Sequence, residues 1–152
     1  MGNLADVLTA EGQYSEAEQL LRQTLDAKRR TMGAEHPSTF YALDGLGNLL
    51  KKEERYPEAE KTYREAFEGR SHVLRAGHPD TASSAYGLAS VLALEGKRDE
   101  AFSNLQYAVE HGLPAETRLG LEKDADLKSL HSDPRFEALL VKARLDAAAK
   151  PQ

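Results

Sequence analysis

Leu43, Leu46, Gly47 and Leu50 fall at i, i+3, i+4 and i+7, the spacing of one apolar face on a helix with about 3.6 residues per turn. The pattern breaks at Glu54-Arg55-Tyr56-Pro57 and resumes at Ala59, Tyr63, Ala66 and Phe67. Pro57 suits the first turn of this second helix, where a missing N–H leaves no bond unmade. In the same way Gly87, Leu88 and Leu92 lead to Gly96-Lys97-Arg98, after which Ala101, Leu105 and Ala108 carry another helix toward Gly112-Leu113-Pro114. Gly and Pro end it there. The pattern predicts a series of helical hairpins.

These hairpins repeat in register. Leu4, Leu46 and Leu88 stand 42 positions apart, and so do Ala17, Ala59 and Ala101. Tyr14 and Tyr56, Gly12 and Gly96, His36-Pro37 and His78-Pro79, and Thr39 and Thr81 recur in pairs, while Glu16, Glu58 and Glu100 run through all three units. A fixed period of this size marks a helical array. The recurring Ala and Gly have a physical role, because a small side chain at a crossing lets two helix axes approach and a larger one holds them apart.

At these positions the chain resembles the tetratricopeptide repeat, whose first helix carries Leu and then a small residue and whose second carries Ala, a bulky apolar residue and Ala. Leu46-Gly47 with Ala59, Tyr63 and Ala66 occupy those places, as do Leu88-Ala89 with Ala101, Leu105 and Ala108. The first unit, Leu4-Ala5 with Ala17 and Leu21, departs at Thr24. The longer period, with Gly33-Ala34-Glu35-His36-Pro37-Ser38-Thr39 and Ala76-Gly77-His78-Pro79-Asp80-Thr81 as linkers, is similar to the kinesin-light-chain type of unit. The resemblance covers residues 1 to 113. It implies an all-α fold, a right-handed superhelix of stacked hairpins, with units at 1–35, 36–77 and 78–113 and helical capping at 114–152. It implies a scaffold for partners and no reaction.

Pro37 and Pro79 each stand 9 positions before the marker Leu, whereas Met1 stands only 3 before Leu4. The first unit is therefore expected to lack about two helical turns, as in a fragment of a larger protein with further repeats or another domain upstream. Its open apolar end is expected to be adhesive, and a homodimer through it is the alternative reading of function. Beyond Pro114 the spacing of Leu119, Leu121, Leu127 and Leu130 is irregular, and then Asp133-Pro134 opens a helix predicted over 134–148, with Phe136, Leu139, Leu140 and Ala143 as its apolar face. Asp133 is the expected cap and Pro134 the first helical residue. This helix is predicted to act as a lid on the array, with Lys142, Arg144, Asp146 and Lys150 on a polar outer side. The string Leu127 to Phe136 resembles the closing segment after such repeats in bacterial multidomain proteins.

Composition narrows the chemistry. A net charge of −5 over 152 residues, with both signs interspersed, argues against nucleic acid and against an anionic membrane surface. There is no cysteine, hence no disulfide, thiolate metal site or cysteine nucleophile, and a cytoplasmic location is the expectation. No apolar run is long enough to span a bilayer. His36 and His78 each precede Pro in equivalent linkers, which a recurring turn explains better than a metal site. His72, His111 and His131 show no ligand spacing with one another. The acids Glu16 and Glu18, or Glu58 and Glu60, sit among Lys and Arg as solvated helix faces do. No phosphate loop or nucleophile elbow is present; no enzyme activity, cofactor or metal is expected.

In tetratricopeptide arrays the first helix of each hairpin lines the concave surface. By resemblance the inward positions are Asp6 in the first unit, Tyr41, Asp44, Asn48 and Lys52 in the second, and Ser83, Tyr86 and Ser90 in the third. Tyr41 and Tyr86 offer flat apolar area with a hydroxyl, and Asn48 can both donate to and accept from a peptide backbone. An extended or helical peptide suits such a surface. Members of the family that bind chaperone tails clamp a C-terminal carboxylate with Lys and Asn, and here Asp44 takes the place of a clamping Lys, which argues against that ligand.

Overall fold

Among the described residues, 4–74 and 77–148 of this computed structural model, every regular element is helical. Lys150, Ala76 of the second linker and the extreme N-terminus lie outside the described residues. The chain divides into two bodies, residues 1–73 and 74–152.

The first body is two hairpins, α1 (Leu4–Ala10) with α2 (Tyr14–Met32) and α3 (Pro37–Lys52) with α4 (Tyr56–Val73). Each helix packs on the next, α1 on α2, α2 on α3 and α3 on α4. The residues marked by the 3.6-residue period fill the core: Leu43, Leu46, Leu50, Ala59, Tyr63 and Ala66 are all buried. Helix proximity depends on small residues, as expected at Gly47, where an added Cβ would stand 3.0 Å from the Tyr63 ring. A tighter approach occurs at Gly69 of α4, where a Cβ would fall 2.3 Å from Cε1 of the buried Phe40.

The second body pairs α5 (Pro79–Leu94) with α6 (Arg98–Glu110), followed by α7 (Ala115–Gly120), two short 3-10 stretches at Leu121–Lys123 and Ala125–Leu130, and α8 (Pro134–Ala148). The observed α8 has the bounds expected from Asp133-Pro134, with Phe136, Leu139, Leu140 and Ala143 buried. It packs on α6 and α7, while the stretch Ala125–Leu130 packs on α5. Of the irregularly spaced leucines of the tail, Leu121, Leu127 and Leu130 are fully buried and Leu119 is exposed. Within 114–152, where helical capping was expected, the 3-10 stretch packs on α5, and α8 packs on α6 and α7.

The hairpin turns repeat a single device. The N–H groups of Gln13, Arg55 and Lys97 donate to the carbonyls of Leu8, Leu50 and Leu92 at 2.8, 2.9 and 2.8 Å, the six-residue closure that satisfies the last carbonyls of a helix. The residue before each donor must be left-handed. Gly12 and Gly96 take φ of 77°, but the second turn places Glu54 there at φ 60°. A side chain in that region costs about 1–2 kcal/mol, partly offset by the extra freedom that Gly has in the unfolded chain. Glu54→Gly is therefore expected to stabilise the first body by about 0.5–1 kcal/mol, read as a rise in the urea midpoint at unchanged slope.

Capping explains the recurring His-Pro pairs. Nδ1 of His36 accepts the backbone amide of Ser38 and Nδ1 of His78 accepts that of Asp80, each at 3.2 Å, with Pro37 and Pro79 as the first helical residues. At α8 the cap is Asp133, whose Oδ1 accepts the Arg135 amide at 3.0 Å. The Arg135 guanidinium, and then that amide, hold the Asp133 carboxyl at about 2, below its ordinary 3.8. Because the folded value is the lower one, the contribution is complete above pH 4 and is lost as pH falls toward 2. NMR titration should give an Asp133 midpoint near 2 with early loss of α8 amide protection in acid, and Asp133→Ala should weaken α8 already at neutral pH.

Candidate partner-binding surface

Tyr41, Asp44, Asn48 and Lys52 follow i, i+3, i+7 and i+11 along α3 and so share one of its faces. The structure commits two of them internally. Asp44 forms an ion pair with Arg70 of α4, whose side chain is 1% exposed. Asn48 Oδ1 accepts the Tyr63 hydroxyl at 2.6 Å. Lys52 is exposed, and so is Asp6 on α1.

Tyr41 is 55% exposed although its ring is held in place. The Arg70 guanidinium lies 4.9 Å from its centroid and 5.7 Å from that of Phe40, an arrangement in which the cation is attracted to the ring faces. The Asp44–Arg70–Tyr41 chain therefore orders a large amphipathic side chain at the surface. Beside it a cavity of about 240 Å³ is lined by Asp6, Thr24, Lys28, Tyr41, Leu21 and Gly45 among others. Asp6 and Tyr41, far apart in sequence, are thus brought to one site. Arg70 was missed by sequence reasoning, although its position was legible: the buried stripe Ala59, Tyr63, Ala66 continues at position 70, and a charge on an apolar stripe calls for a buried partner.

In the second body the expected residues fare differently. Ser83 is exposed and its hydroxyl donates to the Pro79 carbonyl at 3.0 Å. Tyr86 is half-buried and donates to Asp124, which precedes the 3-10 stretch; burial, then this bond, push its hydroxyl above the ordinary tyrosine range. Ser90 is completely buried and donates to the Tyr86 carbonyl at 3.1 Å. Ser129 of the tail donates to the Ala93 carbonyl at 2.9 Å. The expectation that Ser90 lines an open groove is therefore corrected, because the tail folds onto α5 there.

Of the acidic pairs, Glu18, Glu58 and Glu60 are held in surface ion pairs. Arg55 reaches Glu18 at 2.8 Å and Glu58 at 2.7 Å, and its guanidinium holds both carboxyls below the usual glutamate range. Among the described residues no three His, Asp or Glu side chains converge as a metal site. His111 and His131 stack on Tyr107 and Phe136 at 4.2 and 4.7 Å. No described helix is long and apolar enough to cross a membrane. A second cleft, about 340 Å³, lies between α6 and α8, with Arg135 4.3 Å above the Phe102 ring and ion pairs Asp99–Arg135 and Glu110–Lys142 across it.

A family model described as tetratricopeptide repeat matches residues 1–71 and again 42–111. The chain belongs to the tetratricopeptide repeat family. A solved structure with nearly identical TPR-like repeats of kinesin-light-chain type, from Podosopora anserina, aligns over 98% of this chain and 74% of its own with a TM-score of 0.77 at 23% identity. A single-substitution form of that protein aligns over 96% and 70% with a TM-score of 0.76 at the same 23% identity. BtubC (BKLC) from P. vanneervenii aligns over 98% of this chain and 64% of its own, with a TM-score of 0.76 at 18% identity. At these identities the structures carry the fold, an all-α tetratricopeptide fold of stacked hairpins. No curated protein matches the sequence. Tetratricopeptide repeats typically mediate protein–protein interaction.

Proposed function

We propose that this tetratricopeptide chain is a non-catalytic scaffold that binds a protein or peptide partner through the first-helix faces of its repeats, above all that of the first body. The observation that carries this reading is Tyr41: a large ring, more than half exposed, ordered by Arg70 and standing at a cavity with Asp6 and Lys28. An aromatic that is both exposed and already held gives up little rotamer freedom on binding. Asp44 and Asn48 then serve by fixing Arg70 and Tyr63, while Asp6 and Lys52 supply charge at the rim. Ser83 is the exposed member of the set on α5, and Tyr86 and Ser90 belong to the closure of the second body.

The experiment is selection of extended peptides from a displayed library on the purified protein, followed by calorimetry with Tyr41→Ala. The variant should weaken the selected peptides at least about tenfold, or about 1.4 kcal/mol, with an unchanged helical circular dichroism spectrum. Selected peptides that bind Tyr41→Ala as well as wild type would remove this face from the account. Self-association through α1 is the second reading. Leu4 and Val7 are 60% and 46% exposed there, but α1 carries an acid and no base, so a symmetric copy would set like charges together.

A further inference from the structure

Arg118 of α7 is 6% exposed, and among the described residues its guanidinium has no ion pair and no hydrogen bond. Its Nε is sealed from water as well as from any acceptor, while the two terminal nitrogens stay within reach of solvent. An arginine keeps its charge at every pH a protein meets, so the burial cannot be relieved by losing a proton. The other buried arginine among the described residues shows the usual remedy: Arg70 is paired with Asp44. No acid near Arg118 in sequence does the same. Glu122, four residues on, is held by Arg144 of α8 at 2.5 Å. Asp124 takes the Tyr86 hydroxyl. Glu116 stands two residues back, a spacing at which helical side chains do not face each other. Arg118, Glu122 and Arg144 together carry one net positive charge.

We propose that Arg118 is the base of an oxyanion site in the second body, taking one carboxylate or phosphate group on the fork of its two terminal nitrogens. A guanidinium is planar and presents paired N–H groups that match two oxygens of either group. A buried cation without a counter-charge is costly, and an anion from outside the chain removes that cost. Because the Arg118 stem is already packed, little side-chain freedom is lost when the anion arrives. The buried surroundings also strengthen its attraction to an incoming charge relative to an exposed arginine. A neutral ligand would leave the cation as it stands, so negative charge is the requirement of the site.

The test is a nuclear magnetic resonance titration of the whole chain with inorganic phosphate and, separately, with acetate, at constant ionic strength. The wild type should show saturating shifts of the α7 amides and of the Arg118 Nε–H signal, with a dissociation constant of about 1–20 mM. Arg118→Met keeps an apolar stem without the charge, and it should raise that constant at least about tenfold with an unchanged helical circular dichroism spectrum. Saturation by phosphate alone assigns the site to a phosphorylated ligand, and saturation by acetate as well extends it to a carboxylate. Shifts that never saturate with either anion overturn the proposal, and this result needs only the wild type. Equal saturation in wild type and Arg118→Met also overturns it, since the anion would then sit elsewhere.

Discussion

Asp44→Ala should destabilise the first body by about 3–5 kcal/mol, the largest single effect expected at any proposed surface residue. The reason is Arg70, whose side chain is 1% exposed and whose guanidinium is paired with the Asp44 carboxylate. Removing the carboxylate takes away the anion paired with a guanidinium from which water is largely excluded. Cation–π attraction to Tyr41 and Phe40 offsets only part of that cost, about 0.5–2 kcal/mol each. Because the Asp44 side chain is itself 21% exposed, water can reach the pair from one side and the loss should fall toward the lower bound. The matched double variant Asp44→Ala with Arg70→Met removes both charges and keeps the apolar stem, and it should recover most of the stability. Urea unfolding of the three proteins measures this; a loss below about 1 kcal/mol in the single variant would make the pair an ordinary surface ion pair.

Ala59→Leu should cost about 1–3 kcal/mol, or more if the helices cannot part. Ala17, Ala59 and Ala101, one per unit at the repeat period, are all fully buried, so three extra carbons at any of them have no void to enter. The helical preference of Leu does not rescue the change, since Leu and Ala differ by only a few tenths of a kcal/mol in a helix. Thermal unfolding should show the loss at each of the three positions. Tyr41→Ala, by contrast, removes a ring that is largely exposed and should cost less stability than either of these changes, leaving the helices formed for the binding measurement.

The fold was largely legible because it is written in local signals. The buried stripes of α3 and α4, the Gly12 and Gly96 turns and the Asp133-Pro134 start of α8 each follow from spacing and capping within a few residues. The candidate site was legible in part. Periodicity placed Tyr41, Asp44, Asn48 and Lys52 on one face, but it could not reveal that Asp44 is held by Arg70 and Asn48 by Tyr63, since those bonds depend on how α4 lies against α3. The burial of Ser90 was equally hidden, because it depends on a tail of 3-10 turns whose leucines keep no helical period. Glu54 is the reverse case. It stands at the repeat position held by Gly12 and Gly96, so the one left-handed side chain among the described residues falls where the glycine series is interrupted.

The most direct measurement is an amide chemical-shift map of the protein with and without a library-selected peptide. The account predicts perturbations concentrated on Asp6, Tyr41, Asp44, Asn48 and Lys52, with Tyr86 and Ser90 unmoved beneath the tail and the map abolished by Tyr41→Ala. Perturbations confined to the cleft between α6 and α8, or to the outer side of α8, would contradict a partner site on the first-helix face.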